Sequence, residues 1–274
     1  MPHFQSADGL NLFYTDEGDG LPVLALSGLT RNSRDFDFVA PHLEGVRLIR
    51  MDYRGRGKSE YARDFTTYSV PAEAGDAVQL LNHLGIDKAA ILGTSRGGLI
   101  GMVLAATAKD RLLGVALNDV GPELDPRGIA GIMDFVGKPV AAKTLAEAAR
   151  TRPSLMEGFK DVPDSRWYDE VARLYKETPD GLENLYDHRL RDALIAAAEQ
   201  PAPDLWPVFD AMQGLPAACL RGAGSNLLMV STFTEMARRR PDMIAVEVPD
   251  RGHVPYLDEP AALDALNRWL ELMR

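Results

Sequence analysis

A short stretch, ILGTSRGG from Ile91 to Gly98, separates an apolar run from a helical pattern. Gly93, Ser95 and Gly97 form the pattern G-x-S-x-G. This pattern indicates a sharp turn that exposes the serine when a strand precedes it and a helix follows it. A serine on so sharp a turn has a strained backbone, and side chains two residues to either side would collide across it. The strain exposes the hydroxyl beside the positive end of the helix dipole. The stretch therefore predicts a nucleophile at Ser95, with an ordinary strand-to-helix turn as the alternative.

Short apolar runs alternate with longer helical patterns on both sides of this stretch. Continuously apolar runs that end in glycine are typical of buried parallel strands. Strands joined by helices form right-handed βαβ units, so we expect an α/β fold with a mostly parallel sheet and helices on both faces. The predicted strands are LNLFYTDEG, LPVLALSG, VRLIRMD, AAILGT and LLGVALNDV, and the predicted helices are NSRDFDFVAPHL, VPAEAGDAVQLLNHLG and GGLIGMVLAATAKD.

The alternation stops after Gly121-Pro122 and resumes with LPAACLRG, TFTEMARRR, MIAVEVP and EPAALDALNRWLELMR. The intervening residues are rich in amphipathic helical patterns, separated by proline or glycine, and contain no clear strand. A helical block between two parts of one sheet predicts a cap over that sheet. We therefore expect a core formed by residues 1–122 and 206–274, and a helical cap (lid) formed by residues 123–205.

The composition excludes some classes of protein. The 274 residues include 40 acidic and 30 basic ones, for a net charge of −10, which argues against a nucleic-acid partner. The single cysteine, Cys219, lies in an apolar run that predicts a core residue. The first residues lack the pattern of a secretory signal, and no apolar run approaches the ~18 residues of a membrane span. We expect a cytoplasmic protein with no membrane partner.

A serine hydroxyl is a weak nucleophile and needs a base. His253 lies in the loop VPDRGHVPYLDEP, after the last predicted strand and before the final helix. Loops at the carboxyl ends of parallel strands meet at one edge of a sheet, so we expect His253 beside Ser95 as the base. The other histidines that the helical patterns place elsewhere are His42 at a helix end, His83 within a helix and His188 in the predicted cap.

Four segments together resemble the α/β-hydrolase superfamily, in that family's order: Gly28 after the third strand, MDYRGRGKS at residues 51–59, the GTSRGG turn and the late RGHVPYLDEP. The resemblance covers about residues 8–122 and 206–274. It implies a mostly parallel eight-stranded sheet, an inserted helical cap, and a serine hydrolase that needs no cofactor or metal. It also implies an oxyanion hole, made by the backbone N–H groups of Arg96 and of Leu29 in the SGLTRNS loop.

The acid of the implied triad is the open question. Many members place it after the strand corresponding to LPAACLRG, in a pattern like R-G-x-x-S-D, but this chain has Asn226 in that place. Some members, including certain dehalogenases and lactonases, take the acid from the end of an earlier strand, and Asp119 after LLGVALN occupies that position. We expect Asp119 to be the acid, with ordering of the following turn as the alternative and Asn226 as an uncharged helper. The other alternative is an impaired triad.

The expected reaction is hydrolysis of a small-molecule carboxylic ester or lactone through an acyl-enzyme on Ser95. Cleavage of an amide or carbon–carbon bond by the same triad is an alternative, and a ligand-binding receptor with little turnover is a second. A serine at position 95 argues against an epoxide hydrolase or a haloalkane dehalogenase, because the enzymes of those kinds that resemble this chain have an aspartate at the same turn. Arg31, after the oxyanion loop, is a candidate for binding a substrate anion, or else a surface residue. Monomer and homodimer both stay open.

Overall fold

The computed structural model describes residues 2–274. Its centre is a sheet of eight strands in the order β1-β2-β4-β3-β5-β6-β9-β10. β2 pairs antiparallel with both β1 and β4, and every other pairing in this sheet is parallel. The expected mostly parallel α/β sheet is thereby confirmed. Its strands are β1 (His3–Gln5), β2 (Asn11–Glu17), β3 (Leu21–Leu26), β4 (Val46–Met51), β5 (Ala89–Thr94), β6 (Leu112–Asn118), β9 (Ala217–Gly222) and β10 (Ile244–Val248).

Helices cover both faces of this sheet, as expected. Adjacent residues of one strand point to opposite faces, and Val23 and Leu24 of β3 accordingly belong to different apolar clusters. The cluster around Leu24 includes residues of α1 and α2, whereas the cluster around Val23 includes Trp269 of α9. The helices are α1 (Val70–His83), α2 (Arg96–Thr107), α3 (Pro126–Phe135), α4 (Leu145–Leu155), α5 (Asp164–Leu174), α6 (Leu190–Ala198), α7 (Trp206–Asp210), α8 (Val230–Arg239) and α9 (Pro260–Glu271).

The block between β6 and β9 is mostly helical and contains α3 to α7. The expectation that it holds no strand is wrong, because β7 (Tyr175–Thr178) and β8 (Gly181–Asn184) form an antiparallel hairpin. The hairpin turn is Thr-Pro-Asp-Gly, in which proline and glycine supply the dihedral angles of a tight turn. Its two short strands lack the apolar run that marks a buried strand. That the whole block acts as a separate cap stays a prediction.

The segment NSRDFDFVAPHL does not form the expected continuous helix. It contains two short 3-10 helices, Ser33–Phe36 and Ala40–His42, separated by a turn. Asn32 caps the first with its side chain, and Pro41 lies in the first turn of the second, which its fixed φ suits. Within residues 2–274, no helix combines the length and apolarity needed to cross a bilayer.

Candidate active site

Ser95 lies between the end of β5 and the start of α2, with backbone angles φ 50° and ψ −111°. This is a region that residues with a side chain rarely adopt, so the turn is strained. The glycines around it are sterically required. A Cβ at Gly93 would lie 2.4 Å from backbone atoms of Gly97, and a Cβ at Gly97 would lie 1.9 Å from the carbonyl oxygen of Leu26. The G-x-S-x-G pattern therefore has the expected physical cause.

The structure brings Ser95, His253 and Asp119 together in one hydrogen-bonded chain. Nε2 of His253 lies 3.0 Å from Oγ of Ser95, and Nδ1 lies 2.7 Å from Oδ2 of Asp119. Asp119 is fully buried, whereas the His253 side chain keeps 18 % of its exposure. The loops after β5, β6 and β10 carry these residues, because the carboxyl ends of parallel strands meet at one edge of the sheet.

Asp119 is held by more than His253. Its Oδ1 accepts a hydrogen bond of 2.9 Å from the Gly222 N–H, and its Oδ2 accepts one of 2.7 Å from the Ser225 hydroxyl. A buried carboxylate is stable only when such donors replace its hydration. These donors hold the carboxylate in place, with its Oδ2 also facing Nδ1 of His253. The alternative, in which Asp119 only orders the following turn, does not account for its contact with His253.

Asn226 lies apart from this chain. It is exposed, and its Nδ2 donates over 3.2 Å to the Glu157 carboxylate. The neighbouring residue, Ser225, is the one that contacts Asp119, so sequence reasoning missed a site residue one position away. The signal was present, because the family pattern R-G-x-x-S-D itself contains this serine.

The other candidates from the sequence lie elsewhere in the fold. His83, near the end of α1, contacts the Tyr14 hydroxyl at 3.3 Å, and His42 ends a 3-10 helix. The His188 side chain is 80 % exposed and lies beside Asp187. Cys219 is buried in β9, as expected of a core residue, and burial raises the pKa of its thiol. These positions leave His253 as the histidine in contact with Ser95.

The two expected oxyanion-hole residues lie next to residues near Ser95: Arg96 follows Ser95, and Leu29 follows Gly28, where a built Cβ would lie 3.9 Å from Cβ of Ser95. The Gly28 carbonyl accepts from the Arg31 N–H, and because the peptide unit is planar and trans this holds the Leu29 N–H pointing the opposite way. Arg96 is the first residue of α2, whose first N–H groups have no partner inside the helix. Neither N–H meets a backbone or side-chain acceptor within residues 2–274.

Arg31 is less available than the sequence suggested. Its guanidinium lies 2.8 Å from the Glu170 carboxylate and 3.3 Å from that of Asp35. Burial disfavours its charged form, but these two carboxylates outweigh burial and raise the pKa of Arg31. Burial likewise works to raise the pKa of Glu170, but Arg152 and Arg31 hold it at about 2. The cluster is therefore balanced in charge, and Arg31 bridges α5 to the loop after β3.

A small cavity of about 20 Å³ lies beside this cluster, between the loop after β3, α5 and the segment after His253. It is lined by Arg31, Asp35, Phe38, Thr94, Asn118, Met156, Glu170, Arg173, Val254, Pro255, Tyr256 and Leu257. Its volume matches a single water molecule. No group of three or more His, Cys, Asp or Glu side chains among residues 2–274 is arranged to hold a metal ion.

Comparisons with known proteins agree with this architecture. A family model described as alpha/beta hydrolase fold matches residues 22–260. The chain is 38% identical over 250 residues to the 3-hydroxybutyrate-oligomer hydrolase of Cupriavidus necator, across 88% of this chain and 85% of that protein. An alpha/beta hydrolase structure from Novosphingobium aromaticivorans superposes with a TM-score of 0.92 and 37% identity, covering 99% of this chain and 97% of that one. A structure from a study of carboxylesterases of Nitrososphaera gargenis, at 18% identity, TM-score 0.76 and coverage of 99% and 98%, shares the fold.

Proposed function

Because the chain belongs to the α/β-hydrolase family, we propose that it hydrolyses small-molecule carboxylic esters through an acyl-enzyme on Ser95. The observation that carries the proposal is the continuous chain from Ser95 through His253 to the buried Asp119. A nucleophile, a base and an orienting acid within hydrogen-bond reach are the requirements of acyl transfer. The same chain speaks against a receptor with little turnover, since Asp119 supplies the carboxylate that Asn226 lacks.

In the first half-reaction, Ser95 Oγ attacks the ester carbonyl carbon while Nε2 of His253 takes the hydroxyl proton. Asp119 holds the imidazole by its Nδ1–H and stabilises the imidazolium that forms. His253 then gives that proton to the leaving alcohol oxygen as the carbon–oxygen bond breaks. In the second half-reaction a water molecule takes the place of the alcohol, and His253 removes its proton as it attacks the acyl-enzyme. His253 then returns that proton to Ser95 Oγ as the bond between Oγ and the acyl carbon breaks and the carboxylic acid leaves.

The negative charge of each tetrahedral intermediate develops on the former carbonyl oxygen. The N–H groups of Leu29 and Arg96, which have no acceptor within residues 2–274, would donate to it. Removing one such donor typically costs about 3–4 kcal/mol of transition-state stabilisation. The partial positive charge at the start of α2 acts on the same oxygen.

The relative named 3-hydroxybutyrate-oligomer hydrolase supports one substrate class. We infer that this chain acts on short linear esters of hydroxy acids, in which one molecule's hydroxyl is esterified by the next one's carboxyl. A lactone is the cyclic form of the same bond and would react at the same serine.

The test combines labelling with turnover. A fluorophosphonate probe should add one adduct to the protein, located at Ser95 by peptide mass spectrometry and absent in Ser95→Ala. The dimer of 3-hydroxybutyrate should be hydrolysed by the native protein and not by this variant. A folded protein that neither labels at Ser95 nor cleaves any ester from a panel of acyl-chain lengths overturns the proposal. If Ser95 is labelled and other esters are cleaved but the dimer is not, the proposal of a serine esterase stands and the proposed hydroxy-acid substrate is rejected.

A further inference from the structure

A cluster of three charged side chains lies beneath the nucleophile turn. Arg56 and Glu73 are fully buried, and the Arg96 side chain keeps only 10 % of its exposure. One oxygen of the Glu73 carboxylate lies 2.8 Å from Nη1 of Arg56, and the other lies 2.5 Å from Nε of Arg96. Two guanidinium groups thus share one carboxylate, and the cluster carries a net positive charge.

Fold stability alone gives a weak account of this cluster. Removing charges from water is expensive, and an apolar replacement of a buried ion pair is often neutral or stabilising. One cation here is not balanced, and desolvation lowers the pKa of Arg56 although Glu73 opposes this. This free-energy cost of burial indicates a role for the Arg56 guanidinium beyond fold stability, and its contacts indicate that role.

Arg56 contacts the loop that carries one oxyanion-hole donor. Its Nε donates over 3.0 Å to the carbonyl oxygen of Leu29, and the hydroxyl of nearby Tyr53 donates over 2.9 Å to the carbonyl oxygen of Ser27. The carbonyls on either side of Gly28 are therefore both held by the 51–59 loop. The peptide unit between them bears the Leu29 N–H, so these contacts fix its direction.

The other end of the cluster reaches the second donor. Arg96 carries the second N–H on its backbone, and its side chain is held by Glu73 and by the Tyr68 carbonyl, to which Nη2 donates over 3.0 Å. A single carboxylate thus connects the residue that holds Leu29 with the residue that supplies the Arg96 N–H. A misplacement of about 1 Å in a reacting or stabilising group can cost about a hundredfold in rate.

We propose that Arg56 is a positioning residue for the oxyanion hole, which holds the Leu29 N–H in place by anchoring the carbonyl of the same residue and sets its spacing from the Arg96 N–H through Glu73. The inference rests on the proposed ester hydrolysis. Arg56 also donates over 2.6 Å to the Arg54 carbonyl and lies against the rings of Tyr53 and Tyr68. A merely structural role is the competing account, so the test needs a readout that such a role would not move.

Arg56→Met is the informative variant. It removes the donor to Leu29, roughly keeps the side-chain volume, and leaves Glu73 and Arg96 as a balanced pair. Arg54→Met is the matched control, since Arg54 lies on the same loop and is 5 % exposed in its side chain. It is paired with the buried Asp76 at 2.7 Å, and no Arg54 side-chain contact reaches the oxyanion loop within residues 2–274. The control leaves a buried carboxylate unpaired, so it should lower the unfolding midpoint at least as much.

The measurement compares kcat and KM for p-nitrophenyl butyrate with the affinity for a trifluoromethyl ketone, whose adduct on a serine carries an oxyanion. Arg56→Met should lower kcat by about ten- to a hundredfold, with KM within about threefold, and weaken ketone binding by a matching factor. Arg54→Met should keep kcat within about twofold. The Arg56→Lys variant, which keeps the charge but lacks the planar group, should lie between Arg56→Met and the native protein.

The proposal is overturned if folded Arg56→Met keeps native kcat and ketone affinity, or if Arg54→Met loses as much as Arg56→Met. If Arg56→Met does not fold, Arg56→Lys decides by the same comparison. A native protein that hydrolyses no ester and binds no ketone defeats the proposed function instead. In that case a crystal structure of the folded Arg56 variant still decides, because positioning requires a rotated Leu29 peptide and an unchanged one contradicts it.

Discussion

The hydroxyl of Ser225 lies 2.7 Å from Oδ2 of Asp119, the oxygen that also faces Nδ1 of His253. The same hydroxyl accepts from the N–H groups of Leu227 and Leu228, at 3.2 Å and 3.1 Å. Two backbone donors therefore orient Ser225 so that its proton points at the carboxylate. Ser225, the residue before Asn226, therefore supports the buried carboxylate of Asp119.

Ser225→Ala should lower kcat/KM for an ester by about tenfold. The variant removes a donor that fixes the Asp119 carboxylate, so the oxygen that faces Nδ1 of His253 is less well oriented. Steady-state rates together with a circular dichroism spectrum check this. Ser225→Thr retains the hydroxyl and serves as the control, and a folded Ala variant with the native rate would contradict the role.

Asp119→Asn should lower kcat by about four orders of magnitude with the protein still folded. The amide cannot stabilise the imidazolium and favours the wrong tautomer of His253, an effect of about 10⁴-fold where a triad aspartate has been replaced in this way. Steady-state rates together with a circular dichroism spectrum check this. Near-native turnover would show that Asp119 is not the acid.

Asn226→Asp should change kcat/KM by less than about twofold. The new carboxylate would be exposed and would lie beside Glu157, the residue to which the Asn226 side chain donates. Exposed charges in water interact weakly. A large gain in rate would instead mean that the triad is impaired and that Asn226 marks the lost acid.

Glu170→Gln should reduce the loss of stability in acid. The pKa of Glu170 is about 2, below its ordinary 4.5, and burial raises it while Arg152 and Arg31 lower it more. A lowered pKa in the folded state stabilises the protein above about pH 4.5, and this stabilisation disappears as the pH falls from there towards 2. The native unfolding midpoint should therefore fall more steeply than that of the variant between pH 5 and pH 3.

Glu235→Gln is the matched control for this pH experiment. The pKa of Glu235 is also about 2, because Arg238 and Arg239 donate to it, but this group lies on the surface of α8, where water screens the pairs. Its removal should leave the acid dependence close to that of the native protein. Equal slopes for native protein and Glu170→Gln would refute the contribution of Glu170.

Local patterns predicted much of the fold. Apolar runs and helical spacing indicated the parallel strands and most of the helices, because burial of one face dictates which positions are apolar. The hairpin β7–β8 was missed since its four-residue strands are largely polar, and the segment after β3 was mistaken for a helix. In both places short-range turn chemistry outweighed the longer pattern.

The sequence by itself determined the strand-to-helix turn at Ser95, because the G-x-S-x-G pattern is local and a Cβ at Gly93 would collide with the backbone of Gly97. It also indicated the edge of the sheet to which His253 belongs, since the carboxyl ends of parallel strands meet. Only the tertiary structure decided that Asp119 faces His253, that Ser225 supports it, and that Arg56 reaches Leu29. Those contacts join residues far apart in the chain, and their distances depend on how the loops pack rather than on any spacing in the sequence.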